Sequence, residues 1–189
     1  TERAEQLPLI ESYSGQTPTW KKVIVQQYIP DQLKALEKLS RNLWWSWNYE
    51  AIALFQSIDP ELWEESEKNP IAMLDQIPFR KLSKLEKDQQ FLDKLNSVHE
   101  KSDNYMQSAE YKKPQVCYFS MEYGLHSSLK IYSGGLGLLA GDYLKEASDM
   151  NYNIIAVGLL YHYGYFKQEI TSNGEQISVS EAMHFSKIP

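Results

Sequence analysis

Ile131-Tyr132-Ser133-Gly134-Gly135-Leu136-Gly137-Leu138-Leu139-Ala140-Gly141-Asp142 holds four of the chain's 9 glycines. Glycine lets a backbone approach another group closely. A run of amides at a helix start presents free N–H donors and the positive end of the helix dipole, which together suit an anion. Gly134 to Gly137 can therefore cradle a phosphate. A tight turn into a helix, packed closely and holding no ligand, uses the same residues, and the cluster alone does not choose between the two. A Walker A loop is excluded, because Gly137 is followed by Leu138 and not by Lys-Ser/Thr. Gly135-Leu136-Gly137-Leu138-Leu139-Ala140 matches G-x-G-x-x-A in form. A dinucleotide site then wants a carboxylate about 20 positions on, where Ile155 stands in a run without one. Nicotinamide or flavin binding is accordingly disfavoured.

Other residues offer chemistry with less force. Trp44, Trp45 and Trp47, with Tyr49 and Phe55, can stack on pyranose rings. Trp44 and Trp47 nonetheless lie three apart beside Leu43, the spacing of a helical core face, and that reading is preferred. Trp45 is then the exposed one left to pack on the α/β domain. Tyr161-His162-Tyr163-Gly164-Tyr165-Phe166 follows an apolar run. Ligands of open α/β sheets bind beyond the carboxyl ends of strands, so this segment and the glycine loop can face one cleft. His99, His126, His162 and His184 show no ligand spacing, and no metal is expected. Asp142 and Glu146, four apart, read as solvated surface, as do Lys84, Lys87, Lys94 and Lys101 among their acidic neighbours. Cys117 reads as a small buried hydrophobe in a reducing, cytoplasmic setting.

The elements that position these residues follow from pattern. The chain has 189 residues, 42% hydrophobic and 23% charged, with net charge −6. That composition is globular and argues against broad nucleic-acid binding, which needs a basic face. No apolar run approaches a membrane span of ~20 residues. Residues 1–19 read as a leader or linker, and the start, which lacks Met, reads as a processed or cut end or as part of something longer. Residues 20–113 read as a mainly helical subdomain with one early strand, Trp20 to Ile29. Asp31 is placed to cap a helix running to Trp47, Asn48 a second, and Asp59-Pro60 and Asn69-Pro70 two more. Leu82, Leu85, Phe91, Leu92, Leu95 and Val98 form an apolar stripe beyond them.

Residues 114–189 read as the start of an α/β domain. Val116 to Ser120 is a short buried strand. The glycine loop leads into a helix with Leu138, Leu139, Tyr143, Leu144 and Ala147 on its packed face. Ile154 to Leu160 is a second buried strand, which completes a βαβ unit. Asn173-Gly174 predicts a two-residue type I′ hairpin. Two crossover-linked strands fall short of the ~4–6 of a usual sheet, so further strands are expected either from partner chains or, the preferred reading, beyond Pro189.

Cys117 to Met150, CYFSMEYGLHSSLKIYSGGLGLLAGDYLKEASDM, continuing to VGLLYHYGYFKQEI, resembles the N-terminal part of α-glucan phosphorylases, the glycogen and starch phosphorylase family. It is most similar to the shorter bacterial and archaeal type. NLWWSWNYEAIALFQSIDPELW is similar to the helical domain that precedes the catalytic fold there. The resemblance spans about residues 18–189. It implies a two-domain Rossmann-like (GT-B) glycosyltransferase that phosphorolyses α-1,4-glucan to glucose 1-phosphate, with glucan, phosphate and glucose 1-phosphate as partners and a homo-oligomer allowed. It implies that backbone at Gly134, Gly135 and Gly137 contacts phosphate, that Leu136 touches glucose, and that Glu122 stands near the active site. It also implies pyridoxal phosphate on a lysine of the C-terminal half, so that this chain alone holds neither cofactor nor catalytic residue and is inactive. Two alternatives stay open: part of a nucleotide-sugar-dependent glucan synthase, and a non-catalytic glucan-binding module.

Overall fold

The computed structural model describes residues 28–109, 114, 116–180, 182–183 and 185–188. The strand expected from Trp20 falls outside them except for Tyr28 and Ile29, which are not in a strand. The helical part begins with a 3-10 turn, Asp31–Leu33, and α1, Lys34–Ser40. The single helix expected from Asp31 to Trp47 breaks at Arg41-Asn42. Asn42 is extended, and its side chain accepts from the Trp44 amide, restarting the chain as a 3-10 turn, Leu43–Trp47. Asp31 caps nothing and instead pairs with Lys34 at 2.6 Å. The other expected starts are present: α2, Tyr49–Ile58, is capped by Asn48; α3, Pro60–Glu65, by Asp59; α4, Pro70–Gln76, by Asn69. Each Asx side chain satisfies amides that have no partner inside the helix, and each Pro occupies a first position where no N–H is needed. The long apolar stripe divides into α5, Phe79–Leu85, and α6, Gln89–Gln107, which Asp88 caps.

These short helices close over one core. Leu33, Leu36, Ala51, Phe55, Met73, Leu82 and Leu95 have no exposed surface. α1 and α2 both pack on α6. Trp45 meets Phe55 and Trp63 edge-on, and Phe55 stacks on Trp63 with rings 5° from parallel. Trp44, Trp45 and Trp63 are thus core residues, whereas the spacing predicts Trp44 and Trp47; Trp47 is only half-buried.

The α/β part contains β1, Val116–Phe119, then α7, Gly135–Asp149, then β2, Ile154–Val157. The two strands are parallel, from Val116↔Ile154 to Phe119↔Val157. The expected βαβ unit is present. Its burial is not as expected: Val116, Phe119, Ile155 and Val157 are exposed, and so is Cys117. A pair of four-residue strands has only a narrow face, and α7 reaches it through Tyr143 edge-on to Tyr118 at 5.6 Å. The packed face of α7 also differs from expectation. Leu138, Leu139 and Tyr143 are exposed, whereas Gly137, Ala140, Gly141 and Ala147 are buried. Small residues win that face because the Gly124 backbone and the side chains of Tyr132 and Glu122 pack directly on it. A separate antiparallel hairpin joins β3, Lys167–Ile170, to β4, Gln176–Val179. Its loop is longer than a type I′ turn. Thr171 N–H donates to Glu175 O, and only Gly174 has positive φ (79°), so Ser172-Asn173-Gly174 forms a three-residue connection.

Candidate functional site

The glycine cluster divides into two pairs with different tasks. Gly134 is the extended residue before α7, and Gly135, Leu136 and Gly137 form its first turn. The first intrahelical bond is Leu138 N–H to Gly134 O, 3.1 Å. The amides of the first turn therefore have no helical acceptor, and no side chain caps them. A Cβ added at Gly134 or Gly135 would meet nothing within 4 Å, so the amide end stands open. At Gly137 a Cβ would lie 2.5 Å from Tyr132 Cβ, and at Gly141 it would lie 2.2 Å from Gly124 O. Gly124 N–H also donates to Gly137 O at 2.7 Å. The second pair exists to seat the loop from Ser120 to Ser133 directly on the helix. The packing reading of the cluster therefore holds for Gly137 and Gly141, while Gly134 and Gly135 leave the amide end open. Leu136 is 56% exposed beside the open end.

Glu122 belongs to that loop. Its Oε2 accepts from Ser133 N–H and its Oε1 lies within hydrogen-bond distance of Ser133 Oγ, both at 3.2 Å. Oε2 is 3.1 Å from where a Gly137 Cβ would stand. The carboxylate is thus held against the first turn of α7, next to the positive end of its dipole. A cavity of about 220 Å³ opens there. Glu122, Lys130, Tyr132 and Ser133 line one side; Tyr161, Tyr163 and Tyr165 line the other. The cleft expected between the aromatic segment and the glycine loop is formed instead by that segment and the residues just before the glycines, Lys130 to Ser133. Gly134 to Gly137 border this cavity through Ser133 and do not line it themselves. Lys130 Nζ pairs with Glu67 at 3.4 Å. The ensemble offers amide donors and a dipole for an anion, and a carboxylate and phenols for hydroxyl groups.

His126 and Tyr105, to which the sequence assigned no role, help tie this site to the helical part. The His126 ring lies 4.7 Å from the Trp45 ring, and its Nδ1 accepts from Ser128 N–H at 3.1 Å. Burial, then the nearby charges of Lys145 and Lys68, lower its pKa to about 4, so the ring is neutral. At the other end of α7, Tyr105 Oη is 2.7 Å from both Ser148 Oγ and Asp149 Oδ1. Trp47 Nε1 donates to the same Asp149 oxygen at 3.1 Å. Trp45, expected to be the tryptophan left over, is 1% exposed and belongs to the core. No spacing rule signals such contacts, because each joins residues more than 40 positions apart. Among the described residues no group of three His, Cys, Asp or Glu can hold a metal ion. Among them also, no helix is long and apolar enough to cross a membrane.

A family described as "Protein of unknown function (DUF3417)" matches residues 29–129. The chain is 43% identical to the maltodextrin phosphorylase of Thermococcus litoralis over 87% of its own length and 21% of that protein's. It is 46% identical to the glycogen phosphorylase of Aquifex aeolicus over 76% of its length, again 21% of the relative's. The glycogen phosphorylase of Mycobacterium tuberculosis is 38% identical over 82% of this chain and 20% of its own. The chain belongs to the DUF3417 family, the N-terminal region of α-glucan phosphorylases. It spans about a fifth of the length of these curated relatives. The DUF3417 match takes in the whole helical part and the loop carrying Glu122 and His126, and it stops before the glycines. No solved structure matches the chain significantly.

Proposed function

We propose that this chain is the N-terminal part of an α-glucan phosphorylase, whose whole protein transfers the terminal glucosyl group of an α-1,4-glucan to inorganic phosphate. The observation that carries this reading is the open amide end of α7 beside Glu122, in a chain whose relatives are phosphorylases over most of its length. In the proposal the amides of Gly135, Leu136 and Gly137 hold the phosphate oxygens, with Gly134 leaving the approach clear, and the dipole offsets part of the anion's charge. Leu136 lies against the glucosyl unit. Glu122, fixed by Ser133, accepts from a sugar hydroxyl, and Tyr161, Tyr163 and Tyr165 wall the cleft. Holding phosphate and sugar in register while excluding water is the protein's main contribution to such a transfer.

Pyridoxal phosphate, which the resemblance implies, needs a lysine free to form a Schiff base. The lysine at this cavity, Lys130, is paired with Glu67 at 3.4 Å and is not free. The described residues do not fit that role, and the proposal places the cofactor lysine outside this chain. A cytoplasmic location and a two-domain GT-B architecture belong to the same reading.

The test is glucose 1-phosphate release from maltooligosaccharide and inorganic phosphate by the protein as its gene encodes it. Release that depends on phosphate is expected, and the 189-residue chain alone should give none. Glucan elongation from a nucleotide sugar, with no phosphorolysis, overturns the proposal. Gly135→Pro sharpens it. Proline suits the first helical position and removes one N–H aimed at the phosphate. Losing one charge-assisted bond costs about 1.5–3 kcal/mol, so KM for phosphate should rise roughly ten- to a hundredfold with little change in Tm.

A further inference from the structure

The region of unassigned role, the helical part, touches α7 and its loop at two separated places. In front, the loop Gly124 to Lys130 is clasped on both sides. Gly124 lies on Gly137 and Gly141 of α7, and on its other side His126 lies on Trp45 and Lys130 pairs with Glu67. Behind, Tyr105 and Trp47 converge on Asp149, the last residue of α7, and Asn151 Nδ2 donates to Ser108 O at 3.0 Å. Burial is the first cause that pushes Tyr105 up to about 12, so its hydroxyl keeps its proton. α7 is 15 residues long, a span of about 22 Å at 1.5 Å per residue. A rod held at both ends over that distance cannot slide along its axis or tilt without breaking one grip.

We propose that the helical region is a positioning device that fixes the amide end of α7 relative to Glu122, through His126 on Trp45 in front and Tyr105 with Trp47 on Asp149 behind. His126 and Tyr105 are positioning residues, since neither reaches the cavity beside Glu122. The consequence for phosphate rests on the function proposed above; the mechanical claim does not.

The experiment compares His126→Ala and Tyr105→Phe with a surface control, Lys84→Ala, in the protein as its gene encodes it. It measures KM for phosphate, KM for maltooligosaccharide, Tm, and hydrogen exchange of residues 138–149. Loosening either grip should raise KM for phosphate by about fivefold or more and leave KM for glucan within about twofold. It should also speed exchange in α7 by about tenfold or more. Tyr105→Phe keeps its ring beside Trp44 and carries the test if His126→Ala does not fold. A fall in Tm with α7 exchange and phosphate KM both unchanged would overturn the inference. If the unmodified protein performs no phosphorolysis, the functional reading fails instead, and the exchange measurement alone decides this one.

Discussion

Leu33, Leu36 and Leu95 have no exposed surface, whereas Leu160, two residues past Gly158, keeps 66% of its own. The two leucine groups mark two regions built under the same burial physics. Between Tyr28 and Ser108 every helix but α6 is only about two to three turns long, too short to persist alone in water. They persist together because Asx side chains close the starts of α2, α3, α4 and α6 and because every apolar stripe finds another within the same stretch of chain. From Val116 onward the strands carry the near-continuous apolar pattern of a sheet covered on both faces, yet the described residues cover little of it. Local sequence can complete a helical core. A parallel sheet depends on strands and helices distant in sequence, which on the proposed function the rest of the parent supplies.

The sharpest way to break this comparison is to truncate one large apolar side chain in each region. Trp45→Ala empties a site enclosed by Phe55, Trp63 and His126. It should cost about 3–5 kcal/mol, the usual range for a buried large aromatic. Leu160→Ala should change the stability of this chain by no more than about 0.5 kcal/mol. Denaturant unfolding of both variants checks the pair. Equal losses would mean that Leu160 is covered in solution and that the contrast is false.

The helical region was more legible for the same reason. Asn48, Asp59-Pro60 and Asn69-Pro70 announce helix starts through their own side chains and rings, so the signal lies within three residues of its effect. The break at Arg41-Asn42 was not legible, because leucine spacing continued through it. In the α/β region the βαβ order could be read from strand order alone, as could a cleft before the aromatic segment, but that Glu122 rather than the glycines lines it could not. The packed face of α7 could not. Leu138, Leu139 and Tyr143 outweigh Gly137, Ala140 and Gly141 in any hydrophobic count, and only the approach of Gly124 shows why the small face wins. His126 gave no signal, since its partner Trp45 lies 81 positions away in the sequence.

The glycines give a second, smaller contrast within α7 itself. Gly141→Ala drives a methyl group to 2.2 Å from Gly124 O, a backbone atom that cannot rotate aside. Overpacking of this kind costs about 1–3 kcal/mol. Gly135→Ala meets nothing within 4 Å and should be neutral or stabilising by a few tenths, through about 0.4–1 kcal/mol of unfolded-state entropy at most. Thermal melts of the two variants side by side test the division of the cluster into packing glycines and open ones. A large loss at Gly135 would place it with the packing pair.

The junction between the two regions supplies the finest test, through pH. His126 is held neutral in the fold, with Lys145 of α7 and Lys68 of the turn after α3 as the charges that add to burial. Its folded value, about 4, lies below its unfolded value of 6.5. The unfolded chain therefore binds the extra proton first, and stability falls as pH drops from about 6.5 towards 4. The ring remains partly solvated, which reduces the effect to about 1 kcal/mol at pH 5. Asp59 and Asp103, lowered by Lys81 and Lys38, lose their contributions only below the usual carboxylate value of 3.8 and leave this window to the histidine. His126→Gln, which cannot titrate, should flatten the Tm profile between pH 7 and pH 5 while lowering Tm at pH 7. A profile equally steep in the variant would mean that another group titrates at the junction, and that the ring on Trp45 is not what acid loosens.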